Sequence, residues 1–254
     1  MGGAGQASGG VTTPNEGMQA TAVPLRSSFQ PRLTPGVRAH EDVVGVYDIE
    51  GLMRRIVMFN WITADGYFAG PSGDLDWVVA DEEQAKMAAN DISGFDTVLF
   101  GRRTYEIFEA FWGHVVVDDS GTVPDPHHPG RRSSEHGTIA IALNNMTKIV
   151  FSKTLGRLTW RNSRLLHELE PGEIETMKSQ PGKDMIVFGS GSIVSQLTQH
   201  ALIDEYKFVV CPILLGSGRQ LLSDVSKRLR LNLLEAKGLR SGDVVLRYGR
   251  QNQP

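Results

Sequence analysis

Two segments of this chain follow the same pattern, and they limit the folds open to it. Val98-Leu99-Phe100-Gly101-Arg102-Arg103-Thr104-Tyr105-Glu106 and Ile186-Val187-Phe188-Gly189-Ser190-Gly191-Ser192-Ile193 each run from an apolar strand through a glycine turn into a helix start. Strands that pass directly into helices build an α/β sheet. The first amides of a helix have no intrahelical partners and, with the macrodipole, form an anion site. Arg102 and Arg103 add guanidinium forks suited to phosphate, and Thr104 adds a hydroxyl. The second segment is not the dinucleotide fingerprint, because Val194 stands where a third glycine would be. No Gly-Lys-Ser/Thr follows it, so it is not a P-loop either. A packing turn at each junction is the plainer alternative. Two such junctions together fit a ligand with separated phosphates, such as a dinucleotide.

The rest of the chain supports the α/β reading. Arg55 to Ile62 predicts a strand ending in the turn Ala64-Asp65-Gly66. Helices are expected over Asp81–Ile92, Arg102–Phe111, Pro171–Gln180 and Ser192–Leu202. Strands are expected over Thr97–Phe100, Lys148–Phe151, Met185–Phe188 and Glu205–Leu214. Leu229–Leu234 and Asp243–Tyr248 flank Arg240-Ser241-Gly242 as a closing hairpin, which gives a mixed sheet an antiparallel edge. Gly113 to Gly137 is expected to be one long loop, either a flap over a ligand or a surface insertion.

Composition narrows the function classes. The chain has 254 residues, with Lys plus Arg 26 and Asp plus Glu 29, a formal net charge of −3. A strongly basic nucleic-acid binder is excluded. The single cysteine, Cys211, allows neither an internal disulfide nor a Cys-based zinc site, and it reads as a core residue. Adjacent His127-His128 lack placed partners, so no metal is assigned. The apolar run Phe208–Leu215 is interrupted by Pro212 and falls far short of the ~20 residues a membrane helix needs. No secretory signal opens the chain, and a cytoplasmic location without membrane or nucleic-acid partners is the expectation. Residues 1–52 hold nine Gly and four Pro and only two aromatics, Phe29 and Tyr47. Such a segment cannot offset its ordering entropy, so it reads as a disordered extension. Because Met53 precedes the first strand, an over-called start is equally open.

Two further signals carry chemistry. Val150-Phe151-Ser152-Lys153-Thr154 places a hydroxyl and an ammonium at a strand end. Ile62-Thr63-Ala64-Asp65-Gly66-Tyr67, continuing through Gly70-Pro71-Ser72-Gly73-Asp74-Leu75-Asp76-Trp77, is a glycine-rich loop able to close over a ligand. Taken with Leu202-Ile203-Asp204-Glu205-Tyr206 and Pro212-Ile213-Leu214-Leu215-Gly216-Ser217-Gly218, these stretches resemble the dihydrofolate reductase-like superfamily. The branch is that of the reductase domain of the riboflavin-biosynthesis deaminase–reductase, and the resemblance runs from about Met53 to Gln251.

The resemblance implies a mixed sheet flanked by helices, with NADPH extended across the strand ends. It implies that Gly101, Arg102, Arg103 and Thr104 hold cofactor phosphates, with the arginines near the 2′-phosphate. Ser152 and Lys153 would border the adenosine. Gly189, Ser190, Gly191, Ser192 and Ile193 would cradle the pyrophosphate. Thr63 and Ala64 would line the nicotinamide, and Asp65 and Trp77 the substrate. Hydride chemistry needs one proton source, and Asp65, Asp76 and Glu82 are the candidates. The resemblance suggests a small heterocyclic or ribosylamino substrate such as 5-amino-6-(5-phosphoribosylamino)uracil, although no residue set to grip a ribose phosphate is visible. It also implies a homodimer, for which the sequence carries no heptad. A non-catalytic nucleotide-binding or sensor module, or an interaction protein using the extension, remain the rival readings. No zinc-deaminase pattern accompanies the domain.

Overall fold

A computed structural model of the chain describes residues 53–79, 81–125 and 130–251. The expected extension over 1–52 and the His127-His128 pair lie outside the described residues. The elements are β1 (Ile56–Thr63), β2 (Tyr67–Ala69), α1 (Glu82–Asp91), β3 (Phe95–Gly101), α2 (Arg102–Trp112), β4 (Val123–Pro124) and β5 (Arg132–Ser133). They continue as α3 (Ser134–Asn145), β6 (Thr147–Phe151), β7 (Ser163–Leu166), α4 (Pro171–Ser179), β8 (Asp184–Phe188) and α5 (Gly191–Gln199). The chain closes with β9 (Glu205–Cys211), β10 (Arg219–Gln220), β11 (Leu231–Gly238) and β12 (Val244–Arg250).

Eight strands form one sheet in the order β11-β12-β9-β1-β8-β3-β6-β7. From β9 to β7 every pair is parallel, while β9, β12 and β11 pair antiparallel. This is the mixed sheet with an antiparallel closing hairpin that the sequence predicts. All the parallel strands therefore end on one edge, which gathers Thr63, Gly101, Phe151, Phe188 and Cys211.

Side-chain alternation along β1 divides the core. Ile56 and Met58 pack with Ile174 of α4 and Val194 and Leu197 of α5 on one face. On the other face α2 and α3 cover β3 and β6 through Tyr105, Leu143, Phe100 and Val150. A third cluster, with Trp77, Val209, Cys211 and Val245, sits under the loop before α1. Helix α1 starts at Glu82, one residue later than expected, because Asp81 caps it and accepts from the amides of Glu83 at 2.6 Å and Gln84 at 3.0 Å. None of its residues is buried.

Three sequence expectations need correction. The segment expected as one loop contains the β4–β5 pair and the first turn of α3. Ser133 caps that helix by accepting from the His136 amide at 3.1 Å, a start signal hidden among the loop-forming residues. Helix α5 stops at Gln199, not Leu202, because Ala201 turns left-handed at φ 55° and the Leu202 amide returns to Leu197 O at 2.9 Å. The strand expected over Leu229–Leu234 runs instead to Gly238 with a register shift near Leu233, since pairing with β12 overrides the local pattern.

Candidate active site

The two glycine junctions meet at the sheet edge. The Gly101 amide donates to Ser190 Oγ at 2.9 Å, so the start of α2 is tied to the turn before α5. Gly189 has φ 52°, which a residue with Cβ rarely adopts. A Cβ on Gly189 would lie 3.8 Å from Thr104 Cγ2, which sets the first turn of α2 against the second junction. A Cβ on Gly191 would fall 2.5 Å from the Phe68 ring, so this glycine admits the loop after β1 as a neighbour. Part of the glycine pattern thus serves packing. Neither helix has a side-chain N-cap, which leaves first-turn amides facing the edge. Ser192 is exposed there, whereas Ile193 points into the core.

The two arginines differ. Arg102 is held by Glu106 at 2.8 Å and donates to Thr154 Oγ1 at 2.9 Å, which bridges α2 to the turn after β6. Arg103 is exposed and makes no hydrogen bond or ion pair among the described residues. Ser152 is buried and accepts from the amides of Thr154 and Leu155 at 3.2 and 3.0 Å. Lys153 extends outward and pairs with Glu168 at 2.5 Å, which raises its pKa.

On the other side of the edge, Thr63 donates to Asp65 Oδ1 at 2.5 Å and accepts from the Tyr67 amide at 3.0 Å. The Ala64 amide donates to Ile213 O at 3.0 Å. Asp65 also accepts from the Gly216 amide at 2.8 Å and more distantly from Leu215. The Thr63 hydroxyl, then the Gly216 amide, hold the Asp65 carboxyl below its usual range. Asp65 therefore clamps two loops as a carboxylate and is poorly suited to give up a proton at neutral pH. Asp76 is exposed. Trp77 is buried in the third cluster, as an anchor of the loop.

A cavity of about 760 Å³ opens beside this edge, between α1, α2, α3 and the sheet. Sequence reasoning missed it. Its walls are the odd residues of β1 (Val57, Phe59, Trp61), Ile186 and Phe188 of β8, and Phe108, Phe111 and Trp112 of α2. Phe188 directly precedes Gly189, so the cavity adjoins the glycine cradle. The Phe108 and Phe188 rings stack at 5.2 Å between centroids. Of the three candidate acids only Glu82 lines the cavity, where it pairs with Arg131 at 2.9 Å. Alternation of apolar residues along β1 was the available signal, but it could not show that α1 leaves space below it.

Comparison with known proteins decides the relationship. The family model for the RibD C-terminal domain matches residues 54–245. The chain belongs to that family. Members of the RibD C-terminal domain family are reductase-like, and this chain shares that character and a small-molecule substrate with them. The chain is 26% identical over 196 residues to the uncharacterized protein YyaP of Bacillus subtilis (strain 168), covering 77% of this chain and 94% of that one. Its fold is similar to that of a protein ascribed to riboflavin biosynthesis from Shewanella sp. PV-4, with TM-score 0.58, 19% identity and coverage of 78% and 99%. It is also similar to the diaminohydroxyphosphoribosylaminopyrimidine deaminase/5-amino-6-(5-phosphoribosylamino)uracil reductase of Thermotoga maritima. That likeness has TM-score 0.50 and 13% identity, and covers 80% of this chain and 58% of the other. Among the described residues no helix is long and apolar enough to cross a membrane.

Proposed function

We propose that this chain is an NADPH-dependent reductase of a small heterocyclic compound. One observation carries the reading: two uncapped helix starts, tied by the Gly101–Ser190 hydrogen bond, lie on the same edge as an aromatic cavity. The residues fit a dinucleotide. First-turn amides of α2 and α5 suit its phosphates, and Arg103, unpaired among the described residues, suits a 2′-phosphate. Bound NADPH would supply the hydride. The chain's own part is to orient both partners and exclude water. Phe59, Trp61, Phe108 and Phe188 offer ring faces to a planar substrate. Reduction of a C=N bond by that hydride would leave an electron pair on the nitrogen, which would need a proton. The proton would come from a water ordered by the Glu82 carboxylate, the one candidate acid that lines the cavity.

The test follows loss of reduced-nicotinamide absorbance on mixing the full chain with NADPH and a panel of heterocycles. Turnover with at least one, slowed about tenfold or more by Glu82→Gln, supports the reading. Tight NADPH binding without turnover on any member favours the sensor alternative.

A further inference from the structure

We infer that the cavity takes an uncharged, planar aromatic or heteroaromatic compound, and not a phosphorylated one. The inference rests on the reductase reading for its catalytic meaning, but its observations are separate. The cavity lining carries seven carboxylates against six lysines and arginines, so it has no net positive charge. Five of the six cations are also committed, and the sixth, the exposed Lys86, acts on the Glu135 carboxylate by charge alone. Arg55 pairs with Asp184 at 2.7 Å, Lys207 with Asp91 at 2.5 Å and Arg247 with Glu205 at 2.7 Å. Near the mouth, Arg131 pairs with Glu82 at 2.9 Å and Arg132 with Asp118 at 2.6 Å. A phosphate entering this space would lose its hydration, and among the described residues only one of the six cations, the exposed Lys86, lies outside an ion pair there.

The rest of the lining favours an apolar guest. Leu75, Val79, Ile107 and Phe111 remain 41%, 66%, 55% and 42% exposed, and all four line the cavity. Exposed apolar side chains gathered at one opening mark a place that receives apolar surface. Inside, Phe59 meets Phe188 at 5.8 Å and Trp61 at 5.3 Å, nearly edge-on in the second pair, which leaves ring faces for stacking. A volume of about 760 Å³ falls within the range of roughly 300–1,000 Å³ usual for small-molecule sites. Helix α1 sets this volume, since it covers the cavity without burying any residue of its own.

The experiment titrates the full chain with three probes and follows its tryptophan fluorescence, to which Trp61 and Trp112 in the lining contribute. The probes are quinoxaline, quinoxaline-2-carboxylate and 5-amino-6-(5-phosphoribosylamino)uracil. NADPH is titrated separately on the same preparation. Quinoxaline is expected to bind at least about tenfold more tightly than either anion. Ala88→Phe, which adds a ring from α1 into the cavity, is expected to weaken quinoxaline about tenfold or more and leave NADPH affinity unchanged. Equal affinities, tighter binding of the phosphorylated probe, absence of quinoxaline binding, or an unaffected Ala88→Phe variant would each overturn the inference. NADPH binding in those cases leaves the reductase reading standing. Quinoxaline binding without NADPH binding would overturn the reductase reading and keep the cavity's preference.

Discussion

The amide of Gly101 and the hydroxyl of Ser190, 89 positions apart in sequence, are joined by a buried hydrogen bond of 2.9 Å. That bond fixes the distance between two helix N-termini, and hence between the two anion sites proposed there. Ser190→Ala leaves the Gly101 amide without its acceptor, at a cost of ~1–3 kcal/mol. The expected outcome is a melting temperature lower by several degrees and NADPH affinity reduced several-fold. Calorimetry and a binding titration check the two together.

Arg103 and Arg102 should behave differently. Arg102 is already neutralised by Glu106, whereas Arg103 has no partner among the described residues. Replacing Arg103 with Ala is expected to weaken NADPH about tenfold, since a charge-assisted hydrogen bond is worth ~1.5–3 kcal/mol. NADH affinity should not change, so the two dissociation constants converge. Arg102→Ala should have a smaller effect on that ratio.

Cys211 is buried beside Asp243, and burial, then the nearby carboxylate, push its thiol up to about 12. Native protein incubated with iodoacetamide at about pH 8 should stay unlabelled by intact mass. Unfolded protein should gain one adduct under the same conditions.

Lys148 is fully buried, and its ammonium donates to Asn144 O at 3.2 Å and Met146 O at 2.9 Å at the end of α3. Burial lowers its pKa from 10.5 to about 8. Through that window the unfolded chain holds a proton that the folded chain has released, so Lys148 makes stability rise with pH. Denaturant unfolding at about pH 7.5 and about pH 10 should show wild type gaining on the order of 3 kcal/mol relative to Lys148→Met. A constant difference between the two proteins would contradict this.

Local signals in the sequence carried the sheet edge. A strand followed by glycine and a helix start is written in consecutive residues, which is why Phe100-Gly101-Arg102 and Phe188-Gly189-Ser190 were legible. The hairpin turn at Gly242, with φ 92°, was legible for the same reason. Helix α3 was hidden because Ser133 and Gly137 read as loop residues, while Leu143 packs it into the cluster with Val98, Phe100 and Val150 of the sheet. Asp65 looked like an acid, but beside the neighbouring Thr63 its partners lie at Leu215 and Gly216, about 150 positions away. The cavity was least legible, since it exists only where β1, β8, α1 and α2 fail to close on one another.

The central claim is a dinucleotide site that selects NADPH. The most direct measurement is a titration of the full chain with NADPH and with NADH, followed by tryptophan fluorescence. The account predicts saturable NADPH binding at least about tenfold tighter than NADH, with the gap narrowed by Arg103→Ala. Failure of both dinucleotides to bind at millimolar concentrations would contradict it, and would leave the junctions at Gly101 and Gly189 as packing turns.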